Sequence, residues 1–154
     1  MTDVRGKIAE LGLKFPVAAK PVAAYVPAIR TGNLVFTAGQ LPLVDGAIPM
    51  TGKVGDKVSV EDAKKFAQVC ALNALAAVET VADVNKIIRV VRVVGYVNGA
   101  AGFISQPAVV NGASELFLHI WGEAGKHARS AIGVAELPLD APVEVELTVE
   151  VDLR

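Results

Sequence analysis

Cysteine occurs once in this chain, at Cys70, which excludes an intramolecular disulfide and a cysteine-based zinc cage. Such usage points to a reducing compartment, and the expected localisation is cytoplasmic. Histidine occurs twice. His119 stands four residues from both Glu115 and Glu123, and His127 four beyond Glu123, a spacing that could gather metal ligands along one helical face. Gly122 and Gly125 should end that helix first, so surface or helix-end roles are favoured and no metal is expected. No basic run exceeds the pair Lys64 and Lys65, and 15 basic against 16 acidic side chains leave a net charge of -1. Binding of nucleic acid through its phosphates gains no electrostatic support from that balance. Every apolar stretch is broken by charge, Asn, Gln or Gly before the roughly 18 residues of a membrane span, and no membrane partner is expected. Asp3, Arg5, Lys7 and Glu10 likewise break up any apolar core of a signal peptide.

What is abundant is apolar. Hydrophobic residues make up 53% of the chain and mean hydropathy is +0.47, more than a soluble monomer of this size needs for its own core. The expectation is a chain that also buries surface against a partner. The 154 residues read as a single domain, 1–154, without a linker, residues 1–16 forming an N-terminal extension with a short helix.

Within residues 2–14 the apolar positions Val4, Ile8 and Leu11 suit a short amphipathic helix closed by Pro16. Two β-leaning runs, Val22 to Ile29 and Asn33 to Ala38, flank Arg30-Thr31-Gly32 and read as a hairpin. Residues 43–56 are rich in glycine and proline and read as a loop with at most one short strand. Ser59-Val60-Glu61-Asp62 supplies a capping-box-like start to the most secure helix, whose apolar stripe carries Cys70 and favours packing over reactivity for that thiol. Ile87 to Val97 is so β-branched that a central strand is the natural reading, with Arg89 and Arg92 on opposite faces. Ser105-Gln106-Pro107 opens a second helix with proline in its permitted first turn, and Gly122 or Gly125 stops it. Two final strands follow, from about Arg129 to Ala135 and from about Pro142 to Leu153, the latter alternating apolar and polar residues. The order ββ, loop, α, β, α, ββ predicts an α+β fold with both helices on one face of a mixed β-sheet.

Two motifs carry a resemblance. Arg129-Ser130, Leu137-Pro138 and Val143-Glu144-Val145-Glu146 form one block, and Tyr25-Val26 with Gly32-Asn33-Leu34-Val35-Phe36-Thr37-Ala38-Gly39-Gln40-Leu41-Pro42 form the other. In this order they resemble the RidA/YjgF family, the reactive intermediate deaminases formerly described as endoribonucleases (endoribonuclease L-PSP) or translation inhibitors. The likeness spans roughly residues 22 to 152. It implies a chorismate-mutase-like fold assembled as a barrel-like homotrimer with clefts between subunits.

It also implies a small-molecule carboxylate ligand, with Arg129 gripping the carboxylate in a bidentate fork. A planar, permanently charged guanidinium matches two carboxylate oxygens as lysine cannot. The backbone N–H of Ala131 corresponds to a second donor. Glu144 corresponds to the glutamate that holds water near the imine carbon, a general base in role. Tyr25 corresponds to the residue closing the cleft, Gly39 to a glycine whose backbone approaches the ligand, and Asn111 to a ligand-contacting asparagine. Phe103 falls near a position that presents an apolar group to the ligand. Each has a plain alternative: Arg129 as a surface residue, Glu144 as one acid of a solvated strand face, Tyr25 as a strand tyrosine. Gly39 would then serve a tight turn before Pro42, and Asn111 would be a solvated helix residue.

Geometry constrains the pairing. A regular hairpin turning near Leu139-Asp140 pairs Glu144 with about residue 135 or 136, leaving Arg129 roughly six residues away, on the order of 20 Å along a strand. Either a bulge and loop shorten that gap or the two meet across a subunit boundary.

Ala38 and Ala131 replace a serine and a cysteine of archetypal members, and residues 98–105 form a loop rich in Gly and Ala. The resemblance is therefore to a divergent member. It implies a deaminase hydrolysing 2-imino or enamino acids, such as 2-iminopropanoate, to 2-oxo acids and ammonium, with no cofactor. The alternative is a non-catalytic trimeric binder or sensor of small carboxylates and 2-oxo acids.

Overall fold

Ser59 begins the longest helix: its hydroxyl accepts the Asp62 N–H at 3.1 Å, while Glu61 and Asp62 set negative charge at the positive helix end. The computed structural model describes residues 1–20 and 23–154. Its elements run α1 (Val4–Ala9), β1 (Ala28–Thr31), β2 (Leu34–Thr37), α2 (Val60–Glu79), β3 (Ile87–Asn98), α3 (Gln106–Trp121), β4 (Ala128–Val134) and β5 (Val143–Val151). The sheet order is β1-β2-β5-β3-β4. All neighbours are antiparallel except β3 and β4, and α3 supplies the crossover that a parallel pair requires.

In β5, Val143, Val145, Leu147, Val149 and Val151 are buried while the residues between them are only half-buried. The buried row faces α2 and α3 and builds the core with Leu75, Val78, Val90, Val93, Val97, Leu116 and Phe117. Cys70 lies in that core, its thiol 3.6 Å from the Val143 carbonyl, and burial pushes its pKa well up. The expected α+β arrangement, a mixed sheet with two helices on one face, is what forms. Among the described residues no helix is long and apolar enough to cross a membrane.

The two helices approach closely at Gly112, where a Cβ would run into the Lys64 carbonyl and meet Ala67. Val4 and Ile8 of α1 are fully buried, whereas Leu11 lies beyond the helix and is exposed, because α1 closes at Ala9 and Gly12 turns the chain with a positive φ, well before Pro16. His119 fixes this extension, its Nε2 lying 3.0 Å from the Lys7 carbonyl and 3.1 Å from Glu10.

Three expectations need correction. The first strand runs Ala28–Thr31 rather than Val22 to Ile29; residues 23–27 are bends and open chain, and Val22 lies outside the described residues. Arg89 and Arg92 share one face instead of opposing each other. Irregularities between Ile87 and Arg89 and between Val90 and Arg92 reset the alternation, so both lie opposite outward residues of β5, Glu150 and Thr148. Finally, β4 and β5 form no hairpin, since β3 lies between them.

Candidate functional site

β4 is an edge strand, and Arg129 lies on it beside Val93 of β3 with its side chain turned toward α3. The guanidinium is half-buried: its Nη1 donates to Asn111 Oδ1 at 2.7 Å and to Ser114 Oγ at 3.2 Å. Asn111 and Ser114 stand three residues apart on α3, which puts both on one helical face. Ser114 also meets His127 Nε2 at 2.9 Å, and His127 Nδ1 is 2.7 Å from the Gly125 carbonyl. Burial, reinforced by the charge of Arg129, holds the imidazole pKa below its ordinary value. Ala131 also faces inward from β4, where its methyl packs against the core.

Glu144 lies on the other face of the sheet. It pairs in register with Tyr96, which is in turn level with Ile132, and those outward positions are shared by Glu146, Thr148 and Arg92. Gly39 packs directly against the Glu144 carboxylate, which would overlap a Cβ at that position. This close approach gives Gly39 a role that turn geometry alone did not suggest. Burial, then repulsion from Glu146, raises the Glu144 pKa above the usual carboxylate range. The Tyr96 hydroxyl donates to Glu146 at 3.0 Å, and the phenol is itself pushed up by burial and by that carboxylate.

The structure therefore gathers the expected residues into two groups. Arg129 joins Asn111, and Glu144 joins Gly39. Because β4 runs parallel to β3, the offset between Arg129 and Glu144 along the strands is only three positions, about 10 Å, rather than six. The two side chains nevertheless project from opposite faces of one sheet. Tyr25 is 54% exposed in the open chain before β1. Phe103 packs its ring over Gly99 and Gly55 and against the core, pinning the loop before α3. Ser114, and the bond that His127 makes to it, were missed. Apart from its place on the face of Asn111, nothing in the sequence marks Ser114. His127 does not join His119, which is occupied with α1.

Residues 5–151 match the family model described as "YjgF/chorismate_mutase-like, putative endoribonuclease". The chain belongs to this YjgF/RidA family. Protein TCP17 of Trypanosoma cruzi is 38% identical over 97% of this chain and 94% of its own length. A 2-iminobutanoate/2-iminopropanoate deaminase of Dermatophagoides farinae is 32% identical over 89% of this chain and 93% of its own. The crystal structure of Atu1372 from Agrobacterium tumefaciens, a protein of unknown function, superposes with a TM-score of 0.89 at 43% identity, covering 97% and 93% of the two chains.

Proposed function

We propose that this chain is an imine deaminase, hydrolysing small 2-imino and enamino acids to 2-oxo acids and ammonium. The observation that carries this reading is the restrained Arg129 guanidinium on an edge strand. Nη1 is held by α3, while among the described residues Nε and Nη2 have no hydrogen-bond partner. That remaining edge matches the two oxygens of one carboxylate. A second copy of the chain, placed against β4 and the outer sheet face, brings its own Glu144 toward the ligand. Water held by that carboxylate attacks the C=N carbon, forming a C–O bond as the π electrons pass to nitrogen. The carboxylate passes the proton taken from water to nitrogen, giving the carbinolamine. The hydroxyl then loses its proton, which the same carboxylate relays to nitrogen. As the O–H electron pair forms the C=O bond, the C–N bond breaks and ammonia leaves, to be protonated to ammonium in water. An enamino acid first takes a solvent proton at carbon to become the imine. The raised pKa of Glu144 makes it the stronger base for the first step. The Ala131 backbone, Asn111 and Tyr25 complete the surroundings of the ligand.

The assembly in this reading is a homotrimer with clefts between subunits, acting in the cytoplasm without cofactor. The outer face mixes Arg89 and Arg92 with Glu144, Glu146 and Glu150, which offers nucleic acid no continuous basic surface. One observation favours the alternative, a non-catalytic carboxylate binder: the contacts that hold Arg129 are made within one chain, independently of Glu144.

A coupled assay separates the two. A serine or threonine dehydratase generates 2-aminoacrylate, and pyruvate formation is followed with and without this protein. Acceleration that disappears in Arg129→Ala is the expected result. Binding of 2-oxobutanoate without acceleration would instead establish the binder.

A further inference from the structure

We propose that Ser114 and His127 are positioning residues that hold the Arg129 guanidinium in its ligand-gripping orientation. The proposal rests on the carboxylate reading above and extends it to residues that never touch the ligand.

Hydrogen-bond chemistry gives the chain of contacts a direction. The Gly125 carbonyl can only accept, so the His127 proton resides on Nδ1, 2.7 Å away. Nε2 is then the acceptor, and the Ser114 hydroxyl donates to it at 2.9 Å. This turns the lone pairs of Oγ toward Arg129, whose Nη1 donates at 3.2 Å while Asn111 takes a second Nη1 hydrogen at 2.7 Å. Nη1 therefore has both hydrogens engaged, and the guanidinium plane cannot turn without breaking a charge-assisted bond. The Phe117 ring meets the imidazole edge-on with centroids 6.0 Å apart, and so restrains the last member of the relay.

The arrangement requires neutral His127. A proton on Nε2 would reverse the bond to Ser114 and place a second cation beside Arg129. The charged and titratable groups on the surrounding elements are Arg129 on β4, Glu115 and His119 on α3, Arg92 on β3, and Glu123 and Lys126 around the turn before β4; His119 is turned to Glu10 and Arg92 to Ser130. Glu115 pairs with Lys64 and Glu123 with Lys126, so Arg129 is the charge that acts on the imidazole. Burial and then its repulsion lower the His127 pKa, outweighing the hydrogen bond to the Gly125 carbonyl, which acts to raise it.

Nuclear magnetic resonance of the intact protein, free of ligand, tests the relay directly. His127 should show the Nδ1-protonated tautomer and titrate below about 6.5, the ordinary imidazole value. The Arg129 side-chain nitrogens should shift with the same midpoint. That step should vanish in His127→Gln, be uncoupled in Ser114→Ala, and persist in Glu144→Gln, whose carboxyl lies on the opposite face. An Arg129 signal that stays flat through the His127 titration overturns the proposal.

Calorimetric titration with 2-oxobutanoate tests the consequence. Affinity should fall as pH drops through the His127 midpoint, and Ser114→Ala should weaken binding roughly tenfold at pH about 8, the loss expected for one hydrogen bond to a charged group. If Arg129→Ala abolishes binding while Ser114→Ala and His127→Gln match the parent at every pH, the positioning role fails and the carboxylate reading stands. If Arg129→Ala leaves affinity unchanged, the carboxylate reading fails, and the coupled shifts alone decide whether the relay holds the guanidinium.

Discussion

At the scale of single residues, the two charged groups of the proposed site are both half-buried and are held differently. Arg129 finds two oxygen acceptors on α3, whereas Glu144 is half-buried beside a second carboxylate and gains affinity for a proton. A carboxyl whose folded pKa is raised stabilises the fold fully below its unfolded value, and that contribution is lost as pH rises through the folded value. For Glu144 the loss therefore sets in above about 4.5 and is complete once the pH has passed the raised folded value. Glu144→Gln, which removes the charge and keeps the shape, should raise the melting temperature at neutral pH and narrow the gap to the parent in acid. The same substitution should reduce turnover by about 10²-fold or more while leaving 2-oxobutanoate affinity nearly unchanged. Equal losses in both would argue against a water-handling role. Arg129 and Glu144 were legible only through the motifs around them, since an arginine entering a strand and an acid on an alternating strand are ordinary features of a surface. Ser114 was illegible because its importance lies in contacts with His127 and Arg129, thirteen and fifteen residues away.

At the scale of elements, the sequence was clearest where a local pattern decides the structure. The Ser59 cap and the apolar stripe after it gave α2, the β-branched run gave β3, and Pro107 with Gly122 bounded α3. Errors arose where the pattern has a defect that only a neighbouring strand reveals. The two irregularities in β3 turned Arg89 onto the face of Arg92, because two residues there oppose one on β5. The relation of β4 to β5 misled for a similar reason: strands consecutive in the chain commonly pair, but here each pairs with β3. Close packing of α2 on α3 yields a prediction of its own. Gly112→Ala forces a methyl group against the Lys64 carbonyl, and the helices must separate. A loss of about 1–3 kcal/mol follows from such overpacking. Thermal unfolding should show the midpoint falling by about 2–4 °C for each kcal/mol lost. An unchanged midpoint would mean that the two helices yield freely.

For the whole molecule, the decisive feature is the sheet face that no helix among the described residues covers. Ile29 is 61% exposed and Ile132 46%, and Phe36 adds an aromatic ring to the same surface. These groups give the homotrimer proposed above an apolar surface to bury, beside a carboxylate already half-withdrawn from water. Light scattering should report three times the 16.0 kDa chain mass, and a monomer at micromolar concentration would remove the shared cleft from the proposed mechanism. The sheet order has a consequence for how the polypeptide is made. The hairpin of β1 with β2 is hydrogen-bonded to the β3-α3-β4 unit only through β5, the strand synthesised after all the others. Until that keystone emerges from the ribosome, the two halves remain unjoined and the valine row of the nascent chain is incomplete. The sheet therefore cannot close before β5 is made, and chains truncated ahead of Val143 should be engaged by chaperones and proteases in place of a finished sheet.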